Sequence, residues 1–168
     1  MKCPQCGEEH RLLDPLFRRP DFVFRLPADE QTKRVLQSDD MCSVEPAGVE
    51  ARRHFVRCTM PFDLTDVSGT TRWGLWAEID EDHARRIHEL WSDPEQKKEP
   101  PFPAVIANHL PDYPETLGLP VDVRLTGPST RPELAFPAHV QHPLAVEYRS
   151  GVTAHRVIEW LRGVGCKA

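Results

Sequence analysis

From His54 to Phe62 apolar and polar positions alternate. Val56, Cys58, Met60 and Phe62 fall on one side, and Phe55, Arg57 and Thr59 on the other. That is the period of a strand with one face in a core. A clearer alternation follows, with Trp73, Leu75, Ala77 and Ile79 opposite Arg72, Gly74, Trp76 and Glu78. The two runs predict a meander or long hairpin. Asp80 then caps a helix over 81–91, with Glu81 and Asp82 at its positive end. Ala84, Ile87, Leu90 and Trp91 share the helical face that can cover the sheet.

Weaker patterns fill in the rest. Phe22, Val23 and Phe24 read as a short extended run before Pro27, and residues 28–37 as a helix with Val35 and Leu36 buried. A strand is expected over 41–45, another over 119–125, and a short partner strand at Leu134 and Phe136. Residues 92–103 are charged and then proline-rich, which predicts irregular chain, after which Phe102, Val105 and Ile106 return to the core. Residues 110–116 form a stiff, turn-rich loop. His142-Pro143 opens a short helix through Tyr148. The last helix has Thr153 as cap, Val152 and Val157 as a hydrophobic staple and Gly163 as stop. The fold class is α+β: a mainly antiparallel sheet with helices packed on one side of it and an N-terminal zinc-knuckle-like turn. A length of 168 residues favours a single domain, 1–168, with a knuckle-like N-terminus over 1–12 and an α+β body over 21–168.

Composition narrows the function classes. A net charge of −5 argues against nucleic-acid binding and is compatible with a basic protein partner. No apolar run reaches transmembrane length and no signal peptide opens the chain, so no membrane association is expected. Five cysteines, an odd number that includes a Cys-x-x-Cys, fit reduced thiols and a cytoplasmic location better than a disulfide framework.

That Cys-x-x-Cys is the main chemical signal. Cys3, Cys6 and His10 have the spacing of metal ligands, and Gly7 lets the backbone curl around the sulfurs. A structural zinc site takes four ligands. Cys42, Cys58 and Cys166 are the candidates for the fourth. Cys58 sits on an apolar strand face and Cys166 in the tail, so Cys42, at a strand start, is chosen. The expected cofactor is structural Zn2+ on Cys3, Cys6, His10 and Cys42. Unmetallated thiols, with redox chemistry through Cys3 and Cys6, are the alternative.

Several stretches recur together: Cys3-x-x-Cys6-Gly7-x-x-His10, Asp40-Met41-Cys42, Phe55-Val56-Arg57, Trp73-Gly74-Leu75-Trp76, Leu90-Trp91-x-x-Pro94, Tyr113-Pro114-x-Thr116-Leu117 and His142-Pro143-Leu144-Ala145. In that order they resemble the uncharacterised bacterial family called domain of unknown function 2199. The resemblance covers nearly the whole chain. It implies no activity. It does imply that Cys42 is shared as a ligand and that Cys58, where the family pattern has a glycine nearby, is not.

Signatures of common enzymes are missing. The sequence has no Gly-rich phosphate loop, no Gly-x-Ser-x-Gly elbow and no His-Glu-x-x-His. His139 and His142 could share a metal only if helical, and Pro143 argues against that. The expected function is therefore a non-enzymatic protein-binding module of the adaptor or immunity type. Its candidate partner surface is Arg72, Trp76 and Glu78, where an aromatic sits opposite the apolar stripe among charges. The enzymatic alternative uses the His142, Glu147 and Tyr113 region. Against it stands the plainer role of His142 as a helix cap.

Overall fold

The structure is a computed structural model that describes residues 5–7, 9 and 13–165. The chain first enters a short helix α1, Asp21–Arg25, then α2, Ala28–Arg34. Seven strands follow: β1 Val35–Gln37, β2 Met41–Val44, β3 Arg53–Asp63, β4 Thr70–Ile79, β5 Phe102–Ile106, β6 Pro120–Arg124 and β7 Glu133–Ala135. Helix α3, Glu81–Leu90, lies between β4 and β5, and α4, Pro143–Ser150, and α5, Ala154–Gly163, close the chain.

Neighbouring strands pair antiparallel in sequence order. The exception closes the sheet: β7 pairs parallel with β3, Thr59 against Glu133, with Thr59 N donating to Pro132 O at 2.9 Å. Strands β3 to β7 thus form a closed five-stranded mixed barrel, and β1 and β2 continue from the first half of β3 as a two-stranded ribbon. One edge of β3 serves both partners in turn, β2 along Arg53–Val56 and β7 at Thr59.

The two alternating runs form the long hairpin they predict, with Cys58 opposite Leu75 and Met60 opposite Trp73. Their inward residues join those of β5, β6 and β7 and the apolar faces of α3, α4 and α5 in one core cluster. Helix α3 starts where Asp80 accepts from His83 N at 2.8 Å, and it buries Ala84, Ile87 and Leu90. Helix α5 starts with two caps: Thr153 Oγ1 accepts from Arg156 N, and Asp66 Oδ1 accepts from Ala154 N at 2.8 Å. Val152 and Val157 of the expected staple are both buried.

Four sequence expectations are corrected. The Phe22–Phe24 run is helical, within α1, because Pro20 carbonyl accepts from Val23 N and Phe24 N and starts a turn. The helix expected over 28–37 ends at Arg34, and Val35–Gln37 is a strand whose Leu36 is 64% exposed. Residues 92–103 are not wholly irregular: they hold a 3₁₀ turn, Gln96–Lys98, and the start of β5. Helices are not confined to one side. Val23 of α1 packs with Cys42, Val44, Phe55, Trp76 and Ala107 in a second cluster on the opposite sheet face.

Candidate functional site

That second cluster decides the fate of Trp76. The side chain is 0% exposed. Its Nε1 donates to Phe17 O at 3.2 Å, and α1 lies over it. The edge of β4 that β5 does not reach is closed by other parts of the chain. Gly74 N donates to Pro15 O and Phe17 N to Gly74 O, while Asp14 Oδ1 accepts from Arg72 N and from the Thr71 hydroxyl. Farther along, Asn108 Oδ1 accepts from Trp76 N, and Asn108 Nδ2 donates to Arg19 O and Asp21 Oδ1. Gly74 is required here, since a Cβ on it would stand 2.8 Å from Leu16 Cβ. Trp76 is therefore a core residue. Glu78 is held by Arg53, whose Nε and Nη2 reach its two oxygens at 2.6 and 2.5 Å, and only Arg72 of the expected partner surface is exposed. The alternation along β4 holds, and the second layer that covers its other face is supplied by a segment with no strand period of its own.

His142, Glu147 and Tyr113 do come together. The Tyr113 hydroxyl donates to Glu147 and accepts from Trp160 Nε1 at 2.9 Å. Arg156 Nε donates to Glu147 at 3.2 Å, its Nη1 to Glu159 at 3.0 Å, and its guanidinium lies 5.0 Å from the Tyr113 ring centroid. Burial, reinforced by the Glu147 hydrogen bond, pushes the Tyr113 phenol well above the ordinary tyrosine range. Burial lowers Arg156, but the bond to Glu159 and the charges beside it outweigh that and hold its guanidinium charged. His142 lies 6.4 Å from Tyr113, ring to ring, and caps α4 through Nδ1, which accepts from Leu144 N at 3.2 Å. Its Nε2 is buried without a hydrogen-bond partner. Burial lowers the pKa of His142, and the nearby Pro114 carbonyl opposes that shift only in part. These groups spend their hydrogen bonds on one another and on the backbone, joining α4, α5 and the 110–116 loop. Thr116 does the same within the loop, donating to Asn108 O at 2.8 Å and accepting from Leu110 N at 2.9 Å.

Of the expected zinc ligands, Cys3 and His10 lie outside the described residues. Cys6 is exposed, and Cys42 is buried in the second cluster, where burial pushes its thiol up to about 11 and Arg19 lowers it slightly. Among the described residues no group of three or more His, Cys, Asp or Glu converges on a point. Cys58 is fully buried on the inward face of β3, and burial raises its thiol far above the ordinary range. His139 also has no such group around it among the described residues.

A feature absent from the sequence expectations is a groove of about 530 Å³ between the β1–β2 ribbon and α3. Register sets one wall: Leu36 opposes Ser43, and Ser43 opposes His54, so all three share a face, with Met41 beside them. Ala84, Arg85 and His88 of α3 form the other wall. His54 Nε2 is buried there without a hydrogen-bond partner. Beside the groove runs the outer edge of β1. Arg34 O and Ser38 N bond inward to Glu45 and Met41, so the alternate residues Val35 and Gln37 turn their backbone groups away from β2. Val35 N donates back to Gln31 O. Val35 O and both backbone groups of Gln37 have no backbone partner among the described residues. The signal for this feature was present in Leu36, an apolar residue that a helix would have buried.

A family model described as an uncharacterized protein conserved in bacteria matches residues 2–152. No curated protein and no solved structure matches the chain.

Proposed function

The chain belongs to the bacterial family of domain of unknown function 2199, and from its own geometry we propose that it is a non-enzymatic, cytoplasmic protein-binding module. The observation that carries this reading is the groove beside the outer edge of β1, whose Val35 O and Gln37 backbone have no backbone partner among the described residues. An extended segment of a partner can add to that edge through Val35 O and the Gln37 backbone. Strand addition sends alternate side chains of the partner to one face, where the groove can receive an apolar one against Leu36 and Met41. His54 forms part of the same wall, beside Ser43. Three edge residues suit a weak or transient complex, and the net charge of −5 favours a basic partner by faster encounter.

Two variants test the site. Gln37→Pro removes an outward N–H, and Leu36→Glu places a charge at the groove, while neither disturbs a buried group. The partner retained by the wild-type chain from its native host should be lost from both, with melting temperature unchanged. Retention by both variants would move the interface elsewhere.

Within this reading a structural zinc on Cys3, Cys6, His10 and Cys42 pins the N-terminus. Burial keeps the free Cys42 thiol protonated at neutral pH, so zinc binding there has to displace a proton and weakens in acid.

A further inference from the structure

The outer face of the barrel carries arginines whose donors the fold uses only in part. Arg57 and Thr59 stand two apart on β3, opposite in direction to the buried Cys58 and Met60. Pro61 opposes Arg72 on β4, so Arg72 shares this face diagonally to Thr59. Arg131 lies just before β7, the strand that closes the barrel, and is held beside Thr59 because the next residue's carbonyl, Pro132 O, accepts from Thr59 N. A polar cleft of about 660 Å³ is lined by Thr59, Arg72 and Arg131 together with Trp91 and the carboxylate of Asp40, and Arg57 stands next to it on the same strand face, two residues from Thr59.

The state of these donors is unusual. Arg57 Nε is buried with no hydrogen-bond partner, and its Nη1 has only a 3.4 Å contact to Asp39 O. A guanidinium that gives up water without an acceptor in return carries an uncompensated cost. Burial, and then the neighbouring Arg131, lower the pKa of Arg57, while the carboxylates of Asp40 and Asp39 oppose that shift in part. Among the described residues the Arg72 guanidinium makes no ion pair and the Thr59 hydroxyl no hydrogen bond, and both line the cleft. Asp40 satisfies Arg131 through Nε alone, at 2.6 Å. Glu133 also lines the cleft and makes no ion pair among the described residues.

We propose that Arg57, Thr59, Arg72 and Arg131 form a binding site for the phosphoryl group of a phosphorylated small molecule. Arginine forks and a hydroxyl approaching from three strand segments suit an acceptor with oxygens in several directions. The cleft is much larger than one phosphate needs, so the ligand carries an organic body, which meets Trp91 at the wall. Glu133 opposes the anion and sets the affinity below what the arginines alone would give.

The test is a titration of the 15N-labelled full chain with sodium phosphate, phenyl phosphate, sodium acetate and sodium chloride at matched ionic strength. The Thr59 amide and the Arg57 Nε–H should shift saturably with phosphate and at lower concentration with phenyl phosphate. Arg72→Gln, at an exposed position, should weaken phosphate by about tenfold. Glu133→Gln should tighten it. Opposite signs from two changes that each remove one charge cannot come from a general loss of structure. The absence of a saturable shift, equal binding of acetate, or an affinity unchanged in both variants would overturn the assignment.

Discussion

Gly74 shows how much a single position can carry. Its missing side chain admits the 14–17 segment to the edge of β4, and that segment in turn covers Trp76. Gly74→Ala forces Leu16 away and should cost about 1–3 kcal/mol, as overpacking does; denaturant titration measures it. Trp76→Ala should cost about 3–5 kcal/mol by cavity formation in the same assay. His142 gives a pH signature. Its folded pKa is lowered, so the unfolded chain takes up the proton first, and stability present above about 6.5 is lost as pH falls below it. His142→Asn keeps a good N-cap without a titrating group, and the stability difference between pH 7 and pH 5 should shrink. The capping role of His142 and the core face of β4 were legible from residue types and period. The neighbours of Trp76 were not, because its cover comes from residues far away in sequence that have no shared pattern with it.

At the level of elements, the strongest periods gave the right elements and the short ones did not. β3, β4, α3 and α5 each combine a long period with a cap or turn. The stretch from Phe22 to Gln37 has neither, and the boundaries there follow tertiary contacts instead: α1 forms where it can cover Trp76, and Val35–Gln37 leaves the helix to pair with β2. Asn108 is the joint between these layers, since its amide serves β4, Arg19 and Asp21 together. Asn108→Ala leaves the buried Trp76 N–H without an acceptor. The expected loss is about 1–3 kcal/mol, with Trp76 amide hydrogen exchange accelerating more than that of Leu75.

For the whole molecule, the zinc idea makes its own prediction. Freshly purified chain should contain close to one zinc per molecule, and Cys42→Ser should release it or weaken it sharply while Cys58→Ser should not. Elemental analysis decides it, and chelation should lower the melting temperature without unfolding the barrel, whose core draws on five strands and three helices. Without metal, the raised Cys42 pKa gives the reverse dependence: stability present below about 9 and lost as pH climbs toward 11. The α+β class was legible at this scale because local periods suffice for it. Barrel closure was not, since one parallel contact between Thr59 and Glu133 leaves no mark on either segment. That closure has a temporal meaning as well. Ribosomes add about 5–20 residues per second, and 133 − 59 = 74 residues separate the two partners, so β3 waits roughly 4–15 s after its own synthesis for the strand that completes it. During that interval its hairpin with β4 shows a bare middle rung, and a chaperone that shields extended chain has its best opportunity on this protein before residue 133 emerges.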